Sequence, residues 1–271
     1  HILREMVYEK HPYKWPTIGK ELKHVEDATL EDVRAFYAKY YQPNNAILVV
    51  AGNIKKEETT TLVANYFNEL NGNSLSAKSF SEPEQTQSKE KTVYDDVPLN
   101  AIYIAFKMCD RLHPDYYTAD VTSDILSNGS SSRLHQRLVK EEKAFVEIDA
   151  YITSSNDVGL FTFEGQVTDG VDVQHATNLI WQEIEKMQAE KVAEKELEKC
   201  KNKMLTYLNF SEASLLNRAI SLAYYELLGD ANLINAEEKN YDAVTAENIQ
   251  QFTQKTFTKE KSNTLFYLKK K

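Results

Sequence analysis

The segment Thr29–Gly52, TLEDVRAFYAKYYQPNNAILVVAG, returns in altered form as Thr245–Leu268, TAENIQQFTQKTFTKEKSNTLFYL. Thr29 matches Thr245, Glu31 matches Glu247, Val33 matches Ile249, Phe36 matches Phe252 and Lys39 matches Lys255, always 216 residues apart. An internal repeat restricts a chain to architectures that use one structural unit twice. Each copy reads as a helix followed by a strand. Thr29 and Asp32 have the spacing of a capping box, Val33, Phe36, Tyr37 and Tyr40 follow at helical intervals, and Pro43 stops the helix. The continuous apolar run Ala46–Ala51 then reads as a strand. A long patterned stretch precedes the second copy, whereas the first copy begins almost at His1, so the first unit is expected to lack its front end.

Residues 71–90, NGNSLSAKSFSEPEQTQSKE, are rich in Ser, Asn, Gln and charge and carry no apolar period, which marks a linker. The chain therefore divides into the rear part of a first domain at 1–72, a linker at 73–90 and a complete second domain at 91–271. In the second domain, Lys91–Val97 and Ala101–Met108 read as strands, with Ile102, Ile104, Phe106 and Met108 alternating onto one face. A helix follows Pro114, a Gly-Ser turn at Asn128–Ser132 leads into a short helix ending near Glu142, and two strands span about 144–152 and 158–168. Three helical stripes come next. Val173, Ala176, Ile180, Ile184 and Met187 form one, Leu197, Cys200, Met204 and Leu208 another, and Leu215–Leu228 a third, all expected as core. Strands followed by a block of helices indicate an α+β class, with helices over one face of a largely antiparallel sheet.

A chain of 271 residues with 42% hydrophobic and 27% charged residues can bury one or two cores. Its net charge of −9 argues against a phosphate-tracking surface, and the terminal lysines do not reverse that. No nucleic-acid partner is expected. Nor does any apolar run approach the ~20 residues that span a bilayer. Cys109 and Cys200 lie far apart without a CxxC pair and read as buried free thiols.

No self-contained catalytic motif appears. His1, His11, His24, His113, His135 and His175 are scattered, with no pair one helical turn apart beside an acid. His24 and Asp27, an i, i+3 pair near a helix start, read as surface hydrogen bonding. Asn128–Ser132 lacks the Lys of a nucleotide loop and reads as a helix entry, and no G-x-S-x-G elbow occurs. Glu147 and Asp149 point to one face of a strand, and Glu164 on its neighbour can join them. Such a cluster can hold a cation, but it also suits the wet side of a sheet whose other side carries Val146, Ile148, Ala150 and Ile152.

Taken together and in order, HPYKWPTIG, TLEDVRAFYAKYYQPNNAILVVAGNI and NGSSSRLHQRLVKEEKAFVEIDAYI resemble the M16 family of zinc metallopeptidases, and the resemblance covers essentially the whole chain. It implies an α+β fold of the M16 (LuxS/MPP-like) class, sheet plus helices in two layers, in repeated domains that enclose a peptide chamber. The family holds zinc with HxxEH and a later Glu, all ahead of the HPY loop. HxxEH is absent here, and Glu5, close to His11, reads as a helix residue beyond the ligand. No catalytic or metal-binding residue is therefore assigned, and zinc is expected only in a longer protein. The resemblance also implies an Arg and Tyr pair that grips the substrate backbone, but Val139 and Val146 occupy those positions and cannot donate hydrogen bonds. A second half or subunit would then supply the pair. Two readings follow. One is the non-zinc-binding portion of an endopeptidase acting on small or unfolded peptides, inactive by itself; the other is a non-catalytic scaffold subunit. Self-association through exposed apolar surface is a further expectation.

Overall fold

The computed structural model describes residues 1–68, 72 and 80–270, which fall into two compact units. The first comprises residues 1–14, 81–205 and 238–271, the second residues 15–80 and 206–237. Five strands, β1 (Lys89–Asp95), β2 (Ala101–Met108), β3 (Phe145–Ile152), β4 (Gly159–Val167) and β5 (Asn263–Lys269), form one sheet in the first unit. Their order is β1-β5-β2-β4-β3. Only β1 and β5 run parallel; the other ladders are antiparallel. Among the described residues the N-terminal helices are α1 (Ile2–Val7), α2 (Leu22–Glu26), α3 (Leu30–Tyr40) and α4 (Lys56–Phe67). The remaining helices are α5 (Asp115–Ser127), α6 (Val173–Ala189), α7 (Glu194–Glu212), α8 (Leu215–Leu227), α9 (Glu237–Asp242) and α10 (Ala246–Thr256). A π-helical stretch, His135–Glu141, fills the place of the short helix expected after the Gly-Ser turn.

The core of the first unit lies on the face that period-2 alternation predicts. Ile102, Ile104 and Phe106 are fully buried, and Phe106 meets Phe163 edge-on at 6.3 Å and Trp181 of α6 at 5.9 Å. Phe257, just past α10, reaches Phe161 at 4.6 Å. These aromatic edges bring α6 and α10 onto one side of the sheet, the two-layer arrangement read from the sequence. The α6 stripe is buried as expected at Ala176, Ile180, Ile184 and Met187.

One strand departs from its pattern. A bulge between Phe145 and Glu147 breaks the β3 register, which buries Phe145 and leaves Val146 55% exposed. Simple alternation had put Val146 inside; the extra residue of a bulge shifts the parity at that point.

The repeat is visible in three dimensions. Thr29 Oγ1 accepts from the Asp32 N–H at 3.2 Å while Asp32 accepts from the Thr29 N–H at 2.9 Å, and Thr245 and Asn248 reproduce the pair at 3.1 and 3.0 Å. Both helices end in a Phe- or Tyr-bearing turn, and 3₁₀ turns at Pro43–Asn45 and Lys259–Lys261 keep the same spacing. Thr245→Ala is expected to cost about 1 kcal/mol in a urea melt, the usual value of an N-cap. A loss below a few tenths would mean that packing alone holds α10.

The two copies differ in burial. Ile249 and Phe252 are 0% and 5% exposed, whereas their counterparts Val33 and Phe36 are 58% and 57% exposed. The run Ala46–Ala51 stays outside any ladder, although its counterpart forms β5. A strand exists only through hydrogen bonds to a neighbour, and among the described residues the second unit offers none. The α8 stripe was expected as core as well, yet Leu215, Leu216, Ile220 and Leu227 are exposed and only Tyr225 is buried. The expected linker lies partly outside the described residues, at 73–79; from Phe80 to Gln87 the chain has no helix or strand.

Candidate functional site

The sheet face opposite the aromatic core carries the polar and aromatic chemistry of the first unit. Register places Tyr103 of β2 beside Glu164 of β4 on one side and Leu265 of β5 on the other. It places Asp149 and Tyr151 of β3 beside Glu164 and Thr162. Because Cβ direction alternates along a strand, all of these share one face. α1 lies on part of that face: Val7 and Tyr8 pack with Ala105 and Leu160, joined by Leu3. Between α1 and the strands remains a hollow of about 450 Å³, walled by Tyr103, Tyr151, Thr162, Leu265 and Tyr267, with Arg4 at its edge.

The hydroxyl groups of the hollow are fixed. Tyr151 donates to Glu164 Oε2 at 2.9 Å, and burial together with this bond raises the phenol's pKa. Burial and the neighbouring Glu164 charge raise Tyr103 as well. Tyr267 donates to Asp95 at 2.5 Å. That bond, the Asp96 N–H and Lys270 hold the Asp95 carboxyl at about 2. Arg4 is different. Its side chain is exposed and makes no hydrogen bond or ion pair among the described residues.

A buried carboxylate fastens α1 and the loop behind it. Glu82 accepts the backbone N–H groups of Glu9, Lys10 and His11 at 2.7, 3.0 and 2.8 Å, and the Lys107 ammonium at 2.6 Å. Burial by itself would raise the Glu82 pKa, but the Glu9 N–H, Lys107 and the other two N–H groups outweigh it and hold the group at about 2. His11, itself buried, pairs with Asp157 at 3.1 Å and meets the Tyr13 ring at a tilt, centroids 4.1 Å apart, and Tyr8 donates to the Val158 carbonyl at 2.8 Å. The HPY segment is thus a fixed loop pinned to the sheet by charge and aromatic packing.

Of the residues singled out in the sequence, Glu147, Asp149 and Glu164 do share a face. Glu147 and Asp149 are exposed, while Glu164 is occupied by Tyr151. Among the described residues no group of three or more His, Cys, Asp or Glu side chains gathers as metal ligands would. The donor sets present do not fit zinc, and no zinc step is assigned to them. Glu5 lies exposed on α1, and Val139 lies in the π-helical stretch. His24 and Asp27 are exposed with no ion pair between them. Cys109 and Cys200 are free; burial pushes their thiols up to about 12 and about 11, which makes both poor nucleophiles. Sequence reading missed Arg4, Tyr103, Tyr151 and Tyr267. The parity that grouped Glu147 with Asp149 also contains Tyr151, but nothing local announces that a helix more than a hundred residues away in sequence closes the hollow.

A five-stranded, mostly antiparallel sheet with α6 and α10 on one face, α1 on part of the other and a repeated helix-turn-extended unit defines an α+β repeat protein. The chain belongs to the M16 peptidase family: residues 27–204 match its Peptidase M16 inactive domain. It is 26% identical over 212 residues to zinc protease PqqE of Helicobacter pylori, covering 76% of this chain and 48% of that protein. It is 30% identical over 171 residues to the probable mitochondrial-processing peptidase subunit beta of Schizosaccharomyces pombe, covering 59% of this chain and 37% of that protein. The fold superimposes on the crystal structure of a protease from Helicobacter pylori with a TM-score of 0.91 at 22% identity, over 98% of this chain and 65% of that one. The chain thus spans about half or less of the length of these two curated relatives. No helix among the described residues is long and apolar enough to cross a membrane.

Proposed function

We propose that this chain is the C-terminal, non-zinc-binding portion of an M16-type zinc endopeptidase acting on small or unfolded peptides, and that its open sheet face forms chamber wall. The match of residues 27–204 to the inactive domain of the family carries this reading. In it, residues 1–72 are the rear of a first domain, 73–90 the linker and 91–271 a complete second domain. The zinc ligands and the general base belong to residues outside the 271, where a metal-bound water would be the nucleophile. This chain's own residues then bind and orient peptide rather than cut it.

The assay is zinc-dependent cleavage of a quenched fluorescent peptide by this chain and by the longer protein that contains it. Cleavage is expected from the longer protein only, and chelation should abolish it. Turnover by the 271 residues alone would overturn the placement of the catalytic centre. One observation favours a second reading: Val139 and Val146 stand where the family's substrate-gripping Arg and Tyr would be. A scaffold subunit that completes a partner's chamber would also lack them. An HxxEH motif upstream of His1 decides for the peptidase, and its absence for the scaffold.

A further inference from the structure

We propose that Asn128–Gly129 is a self-modifying site, where the Gly129 nitrogen displaces ammonia from the Asn128 side chain, and that the carboxylate so created against Asp124 loosens the Asn128–Ser132 loop. All of the groups involved lie within the first unit. The pair closes α5, with Asn128 in extended backbone and Gly129 at a φ of +95°. Both residues are exposed, and a side chain added at Gly129 would meet nothing within 4 Å. With no Cβ of its own, Gly129 leaves its nitrogen unshielded, and among the described residues that N–H makes no hydrogen bond.

Three lysines attend the loop. Lys203 of α7 donates to the Asn128 carbonyl oxygen at 3.4 Å, Lys199 to Ser131 Oγ at 3.1 Å, and Lys140 of the π-helical stretch to the Ser130 carbonyl at 3.4 Å. The Asn128 carbonyl belongs to the same peptide group as the Gly129 nitrogen. An ammonium on that oxygen draws electron density from the peptide and stabilises the amide anion that attacks. The Gly129 nitrogen gives its proton to water and bonds to Asn128 Cγ. The Cγ–Nδ2 bond then breaks, and Nδ2 takes up a proton and leaves as ammonia. One water opens the resulting five-membered imide at either carbonyl, leaving aspartate or isoaspartate at position 128. The reaction thus consumes one water, releases one ammonia and needs no oxidant or second enzyme.

Asp124 makes the product a misfit. It is 6% exposed, its Oδ1 accepts from the Asn128 Nδ2, and its Oδ2 makes no hydrogen bond among the described residues, with the Lys203 ammonium 4.0 Å away. Burial raises its pKa, against the pull of the Asn128 bond and of the Lys203 and Lys199 charges. Turning the carboxamide into a carboxylate removes the donor and sets two acids against each other, so one must take up a proton or the two must part. Asn128 is the residue that ties the loop to α5, and parting frees the loop at its first residue.

The test is peptide mapping by mass spectrometry of the 271-residue chain, held at neutral pH and physiological temperature over several weeks, folded and in urea. The mass gain of amide-to-acid conversion at position 128 is followed with time. Conversion in the folded chain should run within about threefold of the rate in urea, since the loop leaves the attacking nitrogen open. Lys203→Ala should slow the folded chain about threefold or more and leave the urea rate unchanged, whereas Lys203→Arg, which keeps a cationic donor, should hold the native rate. An Asn128 that stays intact while the unfolded chain is converted overturns the site. A Lys203→Ala rate equal to the native one overturns the part given to the lysine.

The loosening is read separately on Asn128→Asp, which supplies the product directly. Amide hydrogen exchange across residues 126–132 should be about tenfold faster than in the native chain, with circular dichroism showing the rest of the unit folded. Combining Asn128→Asp with Asp124→Asn exchanges donor and acceptor, and it should restore the slow exchange. Exchange in Asn128→Asp equal to the native chain's, or no recovery in the double variant, overturns the loosening.

Discussion

Glu82→Ala is expected to lower the stability of the first unit by about 3–5 kcal/mol, the cost of removing one partner from a buried, hydrogen-bonded charge pair. The carboxylate has no exposed side-chain surface, and its removal strands the Lys107 ammonium as well as three backbone N–H groups. A stranded buried N–H costs about 1–3 kcal/mol, but the Glu9 and Lys10 bonds are solvent-exposed, so water recovers most of their share and the Lys107 ammonium and the His11 N–H carry the larger part of the loss. Glu82→Gln separates charge from hydrogen bonding. It keeps one acceptor oxygen and should lose less than the alanine variant. The pH dependence has a definite sign. The folded-state pKa is depressed from 4.5 to about 2, so the group's contribution is complete above pH 4.5 and is lost as pH falls toward 2. Urea midpoints of the native and Glu82→Ala proteins should therefore converge between pH 4.5 and pH 2. Midpoints that differ equally at pH 7 and pH 3, or a difference below 0.5 kcal/mol at pH 7, would show that the carboxylate charge does not hold the loop.

Local chemistry was readable from the sequence, and long-range chemistry was not. The Thr29–Asp32 capping box, the helices of the two copies and the alternation of Ile102, Ile104 and Phe106 each depend on residues within one or two turns. All three appear as expected. The run at 46–51 has strand composition, but composition cannot supply the neighbouring ladder. Val146 failed for a related reason, because a bulge is settled by the partner strand and not by the strand that carries it. The α8 stripe has the pattern of core, and a stripe specifies only that something apolar covers it. The hollow is the least legible feature. Arg4, Tyr103, Tyr151 and Tyr267 come from four separated segments, and only the folded sheet brings them together.

If, as proposed, further polypeptide precedes these residues, supplying it should stabilise the second unit by an amount on the order of 5–10 kcal/mol, the largest effect expected here. Val33, Phe36, Ile47, Leu48, Leu62 and Phe67 are each 40% exposed or more, and a hollow of about 820 Å³ opens between α3 and the extended run at 46–48. Burying the exposed remainder of each is worth about 1 kcal/mol, and pairing the backbone of residues 46–51 adds to that. The second copy indicates what should arrive. There α10 packs on Phe161 through Phe252 while α1 lies on the opposite face of the same sheet against Ala105 and Leu160. The 216-residue spacing carries Ile2–Val7 onto residues 218–223 within α8, and α8 is grouped with residues 15–80 just as α1 is grouped with the second copy's sheet. The first copy therefore has both covering helices, α3 and α8, and the expected occupant is a sheet layer with large apolar residues on both faces, which would pair with residues 46–51. Alone, the chain should bind the dye ANS and self-associate in sedimentation runs; joined to the preceding polypeptide, it should do neither and should melt at a higher temperature. A chain that is monomeric and dye-silent by itself, with no gain in melting temperature when lengthened, would show that these faces need no sheet.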